Sequence, residues 1–166
     1  MANAEDFADA EWAVICDAAH AAGLAMMLVG SSGLWGSLRE MLVAGRLEAG
    51  GAEHASSLIQ GICAPESMRA MQTRLTAVMA APHGQDPRVV LRDQALVWLR
   101  EALAVLQRKA PEELAAYRGW VLEFAAQVAN VASEGGPLGI RGERVSAEEA
   151  ALLASLRGVF AESGVS

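Results

Sequence analysis

The chain has 166 residues, with 20 acidic and 13 basic side chains and a formal net charge of −7. At this length folding buries roughly 70% of the extended chain's surface, enough for one core without disulfides or a metal. The acidic balance argues against electrostatic binding of nucleic acid, which needs a basic stripe to neutralise phosphates.

The nearest approach to such a stripe, Arg100 to Lys109, is interrupted by Glu101. Alanine, leucine and valine dominate while aromatics are 5%, a mix that favours helix because alanine and leucine lose little side-chain freedom there. Cys16 and Cys63 are the only cysteines and make no disulfide framework. The opening, MANAEDFADAEW, is acidic and reads as neither a secretory nor an organellar signal. The most hydrophobic stretch, Ala13 to Val29, carries Asp17 and His20 near its middle. A spanning helix needs about 20 nearly uncharged residues, so this one predicts a buried helix of a cytoplasmic protein.

The first helix is predicted from about Ala4 to Val29, with Phe7, Trp12, Ile15, Ala19, Ala22 and Met26 on a broad apolar face. Its second half, AAHAAGLAMM, has small side chains that let another backbone come close. Gly30-Ser31-Ser32-Gly33 breaks the pattern, and either serine can cap a second helix from Leu34 to about Glu48, stopped by Gly50-Gly51. A shorter helix is predicted over Ala52 to Ile62. Pro65 then suits the first turn of another, to about Ala81.

Asp86-Pro87 is the clearest start signal: a carboxylate cap, then proline at the first helical position. The helix it opens puts Leu91, Ala95, Trp98, Leu99, Ala102 and Leu106 on one face. Pro111-Glu112-Glu113 begins the next, with acids where the helix dipole favours them and a stripe of Leu114, Tyr117, Val121, Phe124, Val128 and Val131. After EGGPLGIRGER comes a last helix, Ser146 to about Ala161, in which Ser146 and Glu149 have capping-box spacing. No segment alternates with period two for long enough to be a strand. The expectation is one all-α domain over residues 1–166, an antiparallel bundle of six or seven helices.

Chemistry is sparse. The glycine-rich stretch 134–146 lacks the lysine and hydroxyl of a Walker loop, the strand and spacing of a dinucleotide fingerprint, and the alternating acids of a calcium loop. Gly139, Arg141, Gly142 and Arg144 could hold an anion or a partner at the start of the last helix. A helix stop, a reversal and a capped restart explain the same residues.

Cys16 and His20 are one turn apart with Asp17 on the same helix, the candidate metal ligands of the chain. Asp17-Ala-Ala-His20 is a near-miss to the Glu-x-x-His motif of di-iron bundles and has no second copy. A histidine bonded to neighbouring backbone is the plainer reading of His20. Of the four tryptophans, Trp35 stands just inside a glycine turn, where an exposed ring could serve a partner surface.

Glu134-Gly135-Gly136, Leu138-Gly139-Ile140, Gly142, Arg144-Val145-Ser146 and Glu149 resemble the ending EGGFLGFGGxRVSxxE of a family of small bacterial helical proteins. Pro137 stands where that ending has an aromatic and Arg141 where it has a glycine. The likeness implies a helical fold and no activity. Val145-Ser146-Ala147-Glu148-Glu149 also resembles the VSxxE part of the tellurite-resistance helical domains. The aspartate linked there with metal falls on Gly142, so no metal role follows.

These readings lead us to expect a non-catalytic helical protein without cofactor, acting through surfaces on a protein partner or a second copy. The alternative is a small-ligand, anion or metal binder using the Cys16/Asp17/His20 face or the Gly135–Arg144 loop.

Overall fold

The computed structural model describes residues 2–30, 53–80, 86–134 and 146–164. Among them all regular structure is helical and there is no strand, so the chain is all-α. We number the helices α1 (Asp9–Gly30), α2 (Ser57–Ile62), α3 (Pro65–Met79), α4 (Pro87–Lys109), α5 (Leu114–Glu134) and α6 (Ala147–Glu162). Single 3₁₀ turns lie at Ala4–Asp6 and Pro111–Glu113. The helix expected over Leu34–Glu48, with Trp35, lies outside the described residues, as does the Gly135–Arg144 loop.

Three starts differ from expectation for local reasons. The first helix begins later because Asn3 and Asp6 close a capping box around one 3₁₀ turn, after which Phe7 is extended. Short polar side chains of this kind bond nearby backbone and compete with helix. Glu11 then accepts from the amide of Ala8 at 3.0 Å, at the start of α1. α2 begins only at Ser57, because Ser56 is its N-cap and accepts from the amide of Ile59. Pro111 opens a 3₁₀ turn, not an α-helix, and α5 follows from Leu114.

The other starts follow their signals. Asp86 accepts from the amide of Arg88 with Pro87 behind it. Ser146 and Glu149 form a reciprocal box: Ser146 Oγ accepts from the Glu149 amide at 3.2 Å, and Glu149 Oε2 from the Ser146 amide at 2.7 Å. That satisfies two of the donors a helix start leaves open.

α1 is the axis of the assembly. At about 33 Å for its 22 residues, it packs most extensively on α4, then on α5, α3 and α6. Lys109 at the end of α4 pairs with Glu11 at the start of α1, so those helices run antiparallel. Tyr117 bonds the carbonyl of Ile15, while Phe124 packs on Gly23, so α5 runs parallel to α1. α6 follows α4: Arg88 and Glu148 line one groove, and Arg100 reaches Glu162 at 3.5 Å.

From Ile15 to Leu28 every α1 residue is buried except Leu24, which is half-buried. The sequence suggested one broad apolar face; the structure covers the whole circumference, the condition under which a helix has no wet side. By length and composition α1 could cross a membrane, and 72% of its most apolar window is buried within the fold.

Close approach is possible because the coating of α1 is thin: Ala18, Ala19, Ala21, Ala22 and Ala25 have no exposure at all. Gly23 is the tightest point. A Cβ there would meet Phe124 Cε1 at 2.3 Å, whereas one on Gly119 of α5 would meet nothing within 4 Å. Overpacking a filled core costs about 1–3 kcal/mol, and Gly→Ala at an unstrained, open helical site gains about 0.4–1 kcal/mol. Gly23→Ala should therefore lower the melting temperature by roughly 2–10 °C, and Gly119→Ala should leave it unchanged or raise it, as followed by circular dichroism. Equal behaviour of the two variants would refute the α1–α5 contact.

Candidate functional site

The chemistry-bearing side chains of α1 gather where α3 and α5 cross it. Asp17 is 3% exposed, and a carboxylate so far from water needs a countercharge. Arg74 of α3 supplies it in a two-pronged bond: Nε donates to Oδ2 at 2.6 Å and Nη2 to Oδ1 at 2.7 Å. The planar fork matches the carboxylate and occupies both oxygens. The Asp17 carboxylate beside it holds the Arg74 guanidinium above its ordinary pKa.

His20, 1% exposed, donates from Nδ1 to the carbonyl of Cys16 at 2.8 Å. Since a carbonyl only accepts, that nitrogen carries the proton. The ring stands edge-on to Trp120 at 6.3 Å and to Phe124 at 6.2 Å, while those two rings stack on one another at 5.8 Å. Edge-to-face and offset contacts at these separations are the favourable aromatic geometries. His20 is thus a member of an aromatic core cluster.

Cys16 is 1% exposed, and burial together with the Asp17 charge pushes its thiol up to about 12, against a smaller opposing effect of Ser67. At pH 7 the thiol is then protonated. Because the thiolate is both the nucleophile and the metal ligand, this cysteine behaves as a small apolar side chain.

Tyr117 completes the cluster. Fully buried, it donates to the carbonyl of Ile15 at 2.8 Å, and burial raises its phenol well above the ordinary value. Cys16, Asp17 and His20 are therefore adjacent on α1, yet Cys16 and Asp17 face Ser67 and Arg74 of α3 while His20 packs among the rings of α5. Among the described residues no three histidine, cysteine or acidic side chains stand together in a way that could hold a metal. The other sequence candidates, Trp35 and Gly139, Arg141, Gly142 and Arg144, lie outside the described residues.

Two charged side chains with inward partners escaped the sequence reading, Arg74 in this cluster and Glu113 outside it. Arg74 lies beside the buried positions Ser67, Met71 and Leu75 of α3, a spacing that aims it at the core. An aspartate inside an apolar run was the cue to look for it. Glu113, an acid placed where a helix dipole favours it, is also 5% exposed, accepting from the Ala2 amide at 3.0 Å and from Ser56 Oγ at 2.7 Å. Those partners are 111 and 57 residues away in sequence, beyond the reach of local spacing.

On the outer side, α4 and α6 border an open groove of about 470 Å³. Its apolar floor includes Val29, Leu96 and Leu152. Its arginines are already paired, Arg88 with Asp86 at 2.7 Å and Arg92 with Asp93 at 2.8 Å. The same Arg88 bond lowers the carboxyl of Asp86 below its ordinary value. Val89 and Val97, 44% and 46% exposed, are the large apolar side chains that α4 leaves open.

The Asp17–Arg74 pair gives an asymmetric test. Arg74→Ala strands a buried carboxylate and should cost about 3–5 kcal/mol in urea unfolding. Asp17→Ala frees a guanidinium whose side chain is already 37% exposed and can turn to water, so it should cost about 1 kcal/mol. The reverse order would contradict the assignment of Asp17 as the buried partner. Comparison of the chain with protein-family models, curated proteins and solved structures gives no match.

Proposed function

We propose that this is a non-catalytic helical protein that works through its surfaces, binding a protein partner or a second copy of itself. On this reading it is a cytoplasmic protein with no cofactor and no membrane span, and nucleic acid is not its target. One observation carries it: the buried polar side chains of α1 are already engaged, by Arg74 of α3, by backbone or by burial itself. Both oxygens of Asp17 face Arg74, His20 Nδ1 faces the Cys16 carbonyl, and the Cys16 thiol is held protonated by burial. Catalysis or metal binding through Asp17 would first have to detach Arg74 and leave a buried carboxylate without its countercharge.

The exposed valines of α4 support the second half of the reading. Val89 and Val97 lie about two turns apart on one side of the helix, with Asp93, paired to Arg92, between them and the Arg88–Asp86 pair at one end. Open apolar side chains interspersed with paired charges are compatible with a mixed protein interface. A second copy presenting the same strip gives a two-fold dimer, the commonest closed assembly.

Light scattering at micromolar concentration tests this directly. The expected mass is twice the 17.4 kDa of one chain, falling to a single chain in the Val89→Glu, Val97→Glu double variant. A monomer in both proteins would remove the self-association reading. Elemental analysis distinguishes the alternative: a stoichiometric metal, lost in His20→Ala, would replace the interaction reading with a metal-binding one.

A further inference from the structure

The outward face of α4 is spaced symmetrically. Asp93 stands at its middle; four residues before it is Val89 and four after it is Val97, while seven before it is Asp86 and seven after it is Arg100. All five side chains are exposed. Steps of three and four residues return to one side of a helix, so the five make one outward line, about 21 Å from Asp86 to Arg100. Next to the centre the line carries valine on both sides, and at its two ends it carries opposite charges. Open grooves of about 470 and 440 Å³ lie along it, both lined by Asp86, Val89 and Asp93, so the line stands up as a ridge.

A line with this spacing is complementary to its own reverse. A second copy laid against it in the opposite direction, with a two-fold axis at Asp93, brings Val97 of the partner subunit to Val89 and Arg100 of the partner subunit to Asp86, each contact occurring twice. Laid in the same direction, every residue would meet itself, and Asp86, Asp93 and Arg100 would all face like charge, which opposes association. In the reversed arrangement only Asp93 of the five meets its like, and each Asp93 brings its own Arg92 at 2.8 Å. Arg100 has room for another acceptor. Within one chain its contacts are long, 3.4 Å to the Leu96 carbonyl and 3.5 Å to Glu162, and a guanidinium carries five N–H donors. Resting on the interaction reading and narrowing it, we infer that the occupant of this face is a second copy of the chain, docked α4 on α4 in the antiparallel direction about Asp93. The end charges select the direction, and the valines supply the apolar contact between them.

Introduced cysteines read the direction. In a Cys63→Ser background, with Cys16 buried, Val89→Cys, Asp93→Cys and Val97→Cys are each held with oxidised glutathione at micromolar concentration and run on a non-reducing gel. A disulfide needs Cβ atoms within about 3.5–4.5 Å, so only facing positions join. Asp93→Cys should join to itself, whereas Val89→Cys and Val97→Cys should stay single alone and join when mixed. Self-joining of Val89→Cys and of Val97→Cys would mean the parallel direction. A dimer by light scattering in which no variant joins would mean another face. Either result overturns this inference and leaves the interaction reading standing, while a monomer by light scattering overturns this inference together with self-association. Arg100→Glu gives a second readout: it turns two opposite-charge pairs into like ones and should weaken the dimer about tenfold. Undiminished affinity in that variant would contradict the pairing of Arg100 with Asp86.

Discussion

A helix enclosed on all sides imposes two demands on everything around it. Neighbouring helices must come close enough to leave no gap, and every polar group it carries must be answered from those neighbours, because water is not there to do it. α1 meets the first demand with alanine and glycine. Five alanines with no exposure, and Gly23 against the ring of Phe124, let α4 and α5 lie along it with large side chains supplied mainly from the outside. Tyr117, Val121, Phe124 and Val128 from α5, and Leu91, Leu99, Leu103 and Leu106 from α4, supply much of the bulk, joined by Ile15, Met26 and Met27 of α1 itself.

The second demand shapes the chemistry. Asp17, His20 and Cys16 would form a reactive grouping at a cleft, where water and substrate could reach them. Inside the bundle the same side chains become ties. Arg74 fixes α3 to α1, the Cys16 carbonyl fixes the ring of His20 among Trp120 and Phe124, and Tyr117 fixes α5 by the carbonyl of Ile15. The buried bidentate pair also imposes register: sliding α3 along α1 by one turn would leave a carboxylate alone in the core, at a cost of several kcal/mol. The proposed reading places function on the outer face, where α4 leaves valines open beside paired charges.

Much of this was legible in the sequence because it is written in local pattern. Asp86-Pro87 and the Ser146–Glu149 box mark helix starts through bonds that span two or three residues, and both appear where the residue types require them. The stripe of α5 is read from side-chain spacing alone, and Tyr117, Val121, Phe124 and Val128 are all buried. What was hidden depends on distance along the chain. The apolar run of α1 reads as one face or as a full circumference equally well, since alanine suits either, and only its neighbours decide. Arg74 and Glu113 look like surface charges because their partners, Asp17 for one and Ala2 with Ser56 for the other, lie more than 50 residues away. The early break at Phe7 was hidden for a different reason: the Asn3–Asp6 box competes locally with a helix that the apolar spacing would have continued.

Native-state hydrogen exchange measured amide by amide reads the enclosure of α1 most directly. A helix with no wet face can expose its amides only when the bundle around it comes apart. The amides of residues 18–28 should therefore exchange with a free energy equal to that of global unfolding and rise and fall with it in urea. Exchange of that segment at a much lower free energy than α4 or α5 would mean that α1 leaves the bundle on its own, and the account of it as the enclosed axis would be wrong.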